Sequence, residues 1–190
     1  SQGDLTARML KEIQSTHCLC VQTRRIPTAE EAFSHNPSAR ALDKCYEKAE
    51  DFEQLNRLIY EALSQEREKV CYLVYGSANE DLTALYARTQ AQKEGIAVRV
   101  LPGISLTQAA LAAVGGEGQC LFQSASDYVP GSPLNAQHAR LYYALDSRIL
   151  ASELKCGLLE YYPAQTQIKL YSALSGEVKE ISLVDLDRQE

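Results

Sequence analysis

The chain has 190 residues, of which 45% are hydrophobic and 23% charged, as is typical of a globular protein with one domain or two small packed lobes. Its net charge of −6, without any basic block, argues against partners such as nucleic acid or an anionic membrane surface. No apolar stretch approaches the roughly 18 residues of a membrane span, and residues 1–4 (SQGD) do not resemble a signal peptide, so we expect a cytoplasmic protein.

The first part of the chain alternates between helical and strand-like patterns. Asp4 is predicted to cap a helix that ends near Ser15, and the apolar run over 17–21 predicts a strand. Further along, the pattern predicts a helix over 50–66, a strand over 69–74, a helix over 82–93, a strand over 96–101 and a helix over 105–114. Repeated strand and helix units of this length indicate a parallel sheet.

The glycine-rich turn over 115–118 (GGEG) interrupts this alternation, and we place the boundary between two lobes there, 1–115 and 116–190. The second lobe reads differently from the first. Its predicted elements are strands over 119–123 and 139–145, an amphipathic helix over 148–162 that Pro163 ends, and a closing antiparallel hairpin of 167–172 with 178–184.

The cysteines and histidines do not form a recognisable reactive or metal-binding pattern. The six cysteines lie mostly in apolar runs without a Cys-x-x-Cys pair, which predicts buried, reduced thiols. His17, Cys18 and Cys20 lack a second cluster that would complete a tetrahedral site, so we expect no metal. His35 and His138 lie in polar stretches without a nucleophile pattern, which argues against a hydrolase triad.

Two glycine-containing turns follow predicted strands. One spans 74–79 and contains Gly76, and the other spans 101–105 and contains Gly103. In an open parallel sheet, ligands bind beyond the carboxyl ends of the strands, where such turns let the backbone approach and helix N-termini offer N–H groups. Glycine also serves such turns for purely geometric reasons, so each turn taken alone leaves a structural role open.

The order of these elements resembles a known family. A strand with a glycine turn, a helix, a strand ending in 101–105 (LPGIS) and an alanine-rich helix are similar to the tetrapyrrole (corrin/porphyrin) methylases, which are class III S-adenosyl-methionine-dependent methyltransferases. In the second lobe, 151–155 (ASELK) and 158–163 (LLEYYP) resemble the branch fused to MazG-type nucleoside triphosphate pyrophosphohydrolases. The likeness covers nearly the whole chain.

The resemblance implies an α/β fold with two α/β lobes, a parallel sheet in the first, a mixed sheet in the second, and S-adenosyl-methionine in the cleft between them. The Gly76 turn would contact the methionine or ribose part, the 101–105 turn would line the opposite wall, and the end of the 139–145 strand would pack near the adenine. The cofactor-binding residues it implies are Gly76, Ser77, Ala78, Pro102, Gly103, Ile104, Ser105, Tyr143, Ala144 and Leu145. Methyl transfer from a sulfonium needs alignment and exclusion of water rather than an acid/base pair, so no catalytic residue is predicted.

Three features depart from the family pattern. Family members open with a strand and a Gly-x-Gly-Pro-Gly-type turn, whereas this chain begins at Ser1, so we expect the first strand to be missing from the sequence. The turn over 75–78 (YGSA) lacks the prolines of the Pro-Gly-x-Pro or Gly-Asp-Pro type, and the similar segment 129–134 (VPGSPL) lies beyond the lobe boundary. The acidic residues around 47–53 belong to one helix without a partner carboxylate helix, so this chain is not itself the pyrophosphohydrolase.

Two hypotheses follow. The first is a methyltransferase acting on a tetrapyrrole-like or other small-molecule acceptor, and the second is a degenerate, cofactor-binding regulatory or assembly module derived from a methylase. Nucleotide binding through the same turns is a third class, but the chain lacks a phosphate-binding loop with Lys and Ser/Thr. The resemblance also implies a homodimer, and a MazG-type domain as a further partner.

Overall fold

The computed structural model describes residues 5–66, 69–116, 119–131 and 138–189. By its internal contacts the chain divides into two compact units, Ser1–Ser105 and Leu106–Glu190. The sequence pattern placed the division at the glycine-rich turn after residue 115, whereas the contacts group the preceding helix, Leu106–Val114, with the strands that follow it.

The first unit contains a short parallel sheet with helices before, between and after its strands. Its elements are α1 (Ala7–Ser15), β1 (Cys18–Val21), α2 (Ala29–His35), β2 (Arg40–Ala41), α3 (Asp43–Lys48), α4 (Phe52–Ser64), β3 (Val70–Leu73) and α5 (Leu82–Lys93). The predicted helix cap Asp4 lies outside the described residues, and the Thr6 hydroxyl caps α1 by accepting a hydrogen bond from the Met9 amide.

The strand order in this sheet is β2-β1-β3, and both pairings are parallel. The register places Val21 of β1 beside Leu73 of β3, and the ladder continues where the Gln22 amide donates to the Leu73 carbonyl at 2.8 Å. The predicted parallel sheet is therefore confirmed. Its carboxyl edge lies at residues 22 and 74, directly before the first predicted ligand turn.

The central strand β1 is buried on both faces, which explains why its sequence reads as one continuous apolar run. Leu19 and Val21 pack into one cluster with α1 and α2, while Cys20 on the opposite face packs with α4 and α5. All six cysteines are free thiols, but the prediction of buried cysteines holds only for Cys20, which is fully buried. Half-buried positions are occupied by Cys18, Cys45, Cys71 and Cys120. Cys156, by contrast, is exposed, because it lies on the solvent side of its amphipathic helix.

The strand predicted over 96–101 does not form. The segment has no strand assignment, and Ile96, Val98 and Val100 are 50%, 42% and 37% exposed. An alternating pattern favours an extended backbone, but a strand also needs a neighbour to complete its hydrogen-bond ladder, and the three-stranded sheet of the described residues does not supply one here. Ion pairs hold this segment instead, because the Glu12 carboxylate binds both Arg99 and Lys69.

The second unit contains two strand pairs and one long helix. Its elements are α6 (Leu106–Val114), β4 (Cys120–Ser124), β5 (Ala139–Tyr143), α7 (Arg148–Leu159), β6 (Gln167–Tyr171) and β7 (Val178–Ser182), with 3-10 helices at Ala125–Asp127 and Leu183–Arg188. β4 and β5 pair in parallel, whereas β6 and β7 form the predicted antiparallel hairpin. Both kinds of pairing expected for this unit are present, in two separate two-stranded sheets.

α7 organises the core of the second unit. Ala151, Leu154 and Leu158 are buried against the closing 3-10 helix, which contributes Leu183 and Leu186. The Lys155 ammonium and the Asp187 carboxylate add an ion pair of 2.5 Å between the same two elements, and this pairing lowers the pKa of Asp187. Among the described residues, no helix is long and apolar enough to cross a lipid bilayer.

Asn36 joins the ends of α1 and α2. Its side-chain amide is buried and donates to the Ile13 carbonyl at 2.8 Å and to the Thr16 carbonyl at 2.9 Å, while its oxygen accepts from Ser38. One polar side chain thus satisfies the main-chain acceptors where α1 leads into β1.

We predict that Asn36→Ala lowers the free energy of unfolding by about 1–3 kcal/mol, because buried carbonyls lose their donors. Urea denaturation measures the change. Ser34→Ala is the control, since Ser34 is exposed and bonds only to Glu31 of its own helix, and it should stay within about 0.5 kcal/mol of the parent protein. Equal effects of the two substitutions would contradict the role of Asn36.

Candidate functional site

The first predicted ligand turn begins where β3 ends and closes at the first residue of α5. Gly76 has a φ of +82°, in the left-handed region that glycine adopts without steric cost, so it reverses the chain directly after Tyr75. The turn ends at Asp81, whose carboxylate accepts from the Ala84 amide at 2.8 Å and so caps α5. Inside the turn, the Glu80 amide donates to the Ser77 carbonyl at 2.9 Å.

The second predicted turn lies against the first. A Cβ atom placed on Gly103 would lie 2.5 Å from the Gly76 carbonyl oxygen, closer than Cβ contacts normally occur, so only glycine fits. The main chains of the two turns therefore touch without a side chain between them. Gly103 contacts Gly76 directly, so the two turns adjoin at this point, and their role as walls of a ligand site stays a prediction.

A side-chain hydrogen bond joins the same two turns a second time. The Ser105 hydroxyl donates to the Glu80 carboxylate at 2.6 Å. Ser105 directly precedes α6, and Glu80 directly precedes Asp81, so the bond fixes the late parts of both turns together. The structure thus brings together seven of the ten predicted site residues, all within the first unit: Gly76, Ser77, Ala78, Pro102, Gly103, Ile104 and Ser105.

This joined surface fits an adenosyl ligand in chemical character. Gly76, Ser77 and Ala78 are half-buried with short side chains, so a ligand can approach their main chain. Pro102 and Ile104 are exposed, with 45% of Ile104 accessible, and offer apolar contacts beside the polar backbone. S-adenosyl-methionine combines an apolar ring face with hydroxyl, amine and carboxylate groups, so it needs such a mixed surface.

A polar residue that sequence reasoning missed holds the first turn in place. Gln22 follows β1 at the carboxyl edge of the sheet, and its amide oxygen accepts from the Tyr75 amide at 3.1 Å. Its amide nitrogen donates to the Asp81 carboxylate at 2.7 Å. One side chain therefore contacts both ends of the turn. The sequence signal that could have identified Gln22 was its place as a polar residue directly after a buried parallel strand.

Two further side chains extend this network. The Tyr72 hydroxyl lies 2.9 Å from the Thr83 hydroxyl, and Thr83 donates to Asp81 at 2.6 Å. Burial raises the pKa of Tyr72, so its hydroxyl stays neutral and is able to donate toward Thr83. Asp81 thus accepts hydrogen bonds from Gln22, which follows β1, and from its own helix, and Thr83 of that helix bonds in turn to Tyr72 of β3.

The three remaining predicted contacts lie in the second unit, at the end of β5. Tyr143 and Ala144 are exposed, while Leu145 packs against the core built on α7. Ala144 has a φ of +56°, the only positive φ of a non-glycine residue among the described residues. Such a conformation is sterically unfavourable for alanine and is often found at binding sites. It marks Ala144 as a candidate functional position of the second unit.

Metal-ligating side chains do not cluster in the described ranges. No group of three or more His, Cys, Asp or Glu side chains there is placed to hold a metal ion. His35 pairs with Gln14, and His138 pairs with Gln119. The segment 129–134, which the sequence set aside as a misleading motif, lies partly outside the described residues.

Comparison with known proteins identifies the family. The family model described as Tetrapyrrole (Corrin/Porphyrin) Methylases matches residues 1–155, so the chain belongs to the tetrapyrrole methylase family. The family generally uses S-adenosyl-methionine. Among curated proteins, the chain is 26% identical over 191 residues to the uncharacterized protein YabN of Bacillus subtilis (strain 168). That match covers 97% of this chain and 39% of YabN, so the chain spans about two-fifths of the length of YabN.

Solved structures share the fold. Cobalt precorrin-4 methyltransferase, a cobalamin biosynthetic enzyme, superposes with a TM-score of 0.65 at 12% identity, covering 97% of this chain and 82% of that structure. For uroporphyrin-III C-methyltransferase from Thermus thermophilus the TM-score is 0.62 at 18% identity, covering 96% and 80%. Diphthine synthase gives 0.60 at 17% identity, covering 98% and 80%. The α/β architecture predicted from the sequence is thereby confirmed.

We predict that Gly103→Ala lowers the free energy of unfolding by about 1–3 kcal/mol, because the added methyl group forces the two turns apart. The Gly76 amide resonance should shift in the same variant. Urea denaturation and a two-dimensional amide spectrum measure both effects. Ile104→Ala alters the adjacent residue, which is half-exposed, and should cost less than about 1 kcal/mol. An unchanged Gly76 resonance in Gly103→Ala would contradict the contact.

Proposed function

We propose that this chain is an S-adenosyl-methionine-dependent methyltransferase of the tetrapyrrole methylase type, which transfers a methyl group to a tetrapyrrole-like or other small-molecule acceptor. Family membership supports the reaction class. The observation that carries the proposal is the direct contact of Gly103 with the Gly76 carbonyl, which joins two separate turns into one half-buried main-chain surface. The three similar enzymes carry names that refer to three different compounds, so the fold leaves the acceptor open.

The chemistry demands little of the side chains. S-adenosyl-methionine supplies an activated methyl group on a sulfonium, so the protein has to hold donor and acceptor in line and keep water out. On this proposal the main chain at Gly76, Ser77 and Ala78 holds the methionine or ribose part. Ile104 adds apolar contact beside it, and Ser105 fixes the second turn through Glu80. The contacts at 143–145 of the second unit stay a prediction of the family resemblance.

A second candidate is a cofactor-binding regulatory or assembly module that has lost methyl transfer. The first turn favours it, because 75–78 (YGSA) lacks the prolines found at this point in the family pattern.

The segments 151–155 and 158–163 support a further proposal, that the chain belongs to the branch associated with MazG-type domains. A cytoplasmic location and a homodimer are further proposals, and the homodimer rests on the family resemblance. The acidic net charge of −6 supports the proposal that nucleic acid and anionic membranes are not partners.

We predict that S-adenosyl-homocysteine binds and stabilises the protein. At a ligand concentration of 100 times its dissociation constant, the free energy of unfolding should rise by about 2.7 kcal/mol, because the ligand binds only the folded state. A thermal-shift titration and isothermal calorimetry measure this effect. Adenosine triphosphate is the control ligand, and it should bind much more weakly because the chain lacks a phosphate-binding loop.

Turnover then separates the two candidates. Transfer of a labelled methyl group from S-adenosyl-methionine to a precorrin or porphyrin-like acceptor would establish the enzyme. Binding of S-adenosyl-homocysteine without transfer across that panel would favour the module. If neither S-adenosyl-homocysteine nor S-adenosyl-methionine binds, both candidates are wrong.

A further inference from the structure

One glutamine contacts both ends of the turn proposed to bind the cofactor. The Gln22 side chain accepts from the Tyr75 amide at 3.1 Å and donates to the Asp81 carboxylate at 2.7 Å. The Gln22 main-chain amide is itself fixed, because it donates to Leu73 in the β1–β3 ladder at 2.8 Å. The side chain is therefore anchored in the sheet and reaches across to the loop 75–81.

We propose that Gln22 and Asp81 are positioning residues, which set the conformation of the loop 75–81 so that Gly76, Ser77 and Ala78 meet the ligand. This inference rests on the proposed function. Gly76 follows directly after the amide that Gln22 holds, so a displacement of Tyr75 is transmitted to the start of the ligand surface. At the other end, Glu80 precedes Asp81 and binds Ser105 of the second turn.

Every side-chain polar atom of this pair has a hydrogen-bond partner. One Asp81 oxygen accepts from the Ala84 amide at 2.8 Å and from the Thr83 hydroxyl at 2.6 Å, and its other oxygen accepts from Gln22. Gln22 uses its oxygen for Tyr75 and its nitrogen for Asp81. Tyr46 also lies beside Gln22, and its hydroxyl is able to donate or accept as the neighbour requires.

This assignment makes the pair sensitive to charge and to donor direction. Gln22→Glu places a second carboxylate against Asp81, and like charges at this distance repel, so the side chain must leave its position and release Tyr75. Asp81→Asn turns an amide group toward the Gln22 amide, and two donors then face each other. Reversing Gln22 to relieve this conflict would place its nitrogen against the Tyr75 amide.

The two substitutions together restore the whole pattern. With both Gln22→Glu and Asp81→Asn, the new amide at 81 donates to the new carboxylate at 22. The second oxygen at 22 still accepts from Tyr75, and the oxygen at 81 still accepts from Ala84 and Thr83. The net charge and the side-chain sizes are those of the parent protein, so the double variant isolates the direction of one hydrogen bond.

The test combines hydrogen exchange of the Tyr75 amide with the affinity for S-adenosyl-homocysteine. In each single variant, Tyr75 should exchange faster by roughly tenfold or more, and affinity should fall by roughly tenfold, since a factor of ten corresponds to about 1.4 kcal/mol. In the double variant, both quantities should return to within about threefold of the parent. Gln14→Glu is the matched control, because Gln14 is exposed on α1 and contacts only His35.

The two readouts separate the failure of this inference from the failure of the proposed function. Hydrogen exchange needs no ligand, so it tests whether Gln22 holds the loop 75–81 even if S-adenosyl-homocysteine does not bind the parent protein. That absence of binding would contradict the role of the loop in ligand binding. If Gln22 and Asp81 have a purely structural role, the loss of affinity follows the loss of global stability. Asn36→Ala, which alters the other end of β1, would then weaken binding as much as the single variants do at an equal loss of stability. That result, or a double variant no better than the single variants, would overturn the inference.

Discussion

The candidate site depends on one close approach of the main chain. The backbone at Gly103 lies so near the Gly76 carbonyl that a single methyl group would not fit between them. Each glycine belongs to a different turn, and the turns are separated in sequence by the whole of α5. Their contact converts two ordinary connections into one surface. A side chain at Gly103 would separate them, which gives this glycine a physical reason beyond the shape of a single turn.

The sheet positions the first of these turns. Parallel strands end at a common edge, and the loop after β3 is held there by Gln22 from the end of β1. The Glu12 carboxylate draws Arg99 and Lys69 together, and this pairing lowers the pKa of Glu12. Glu12 thus links the segment 96–101 to Lys69, the residue before β3, although the segment does not join the sheet.

Much of this arrangement could be predicted from the sequence, because the spacing of apolar residues indicates which face of a helix or strand is buried. The apolar runs predicted β1 and β3, and helical spacing predicted α4 and α5 to within a few residues. The stretch 27–49 was left without elements, since α2, β2 and α3 are too short to show a period. The prediction of a strand over 96–101 was wrong, because a strand needs a neighbouring strand to pair with, and the sequence of the segment does not show whether one is present. Gln22 was missed because its partner Asp81 lies 59 residues away.

The most direct test is to map which amides respond to S-adenosyl-homocysteine in a two-dimensional spectrum of the labelled protein. A ligand held by the joined turns should shift the amide resonances of 76–78 and 103–105 more than those of the outer helices of the first unit. If both groups stay unchanged while amides elsewhere in the chain respond at saturating ligand, the joined turns are not the binding surface and the account is contradicted.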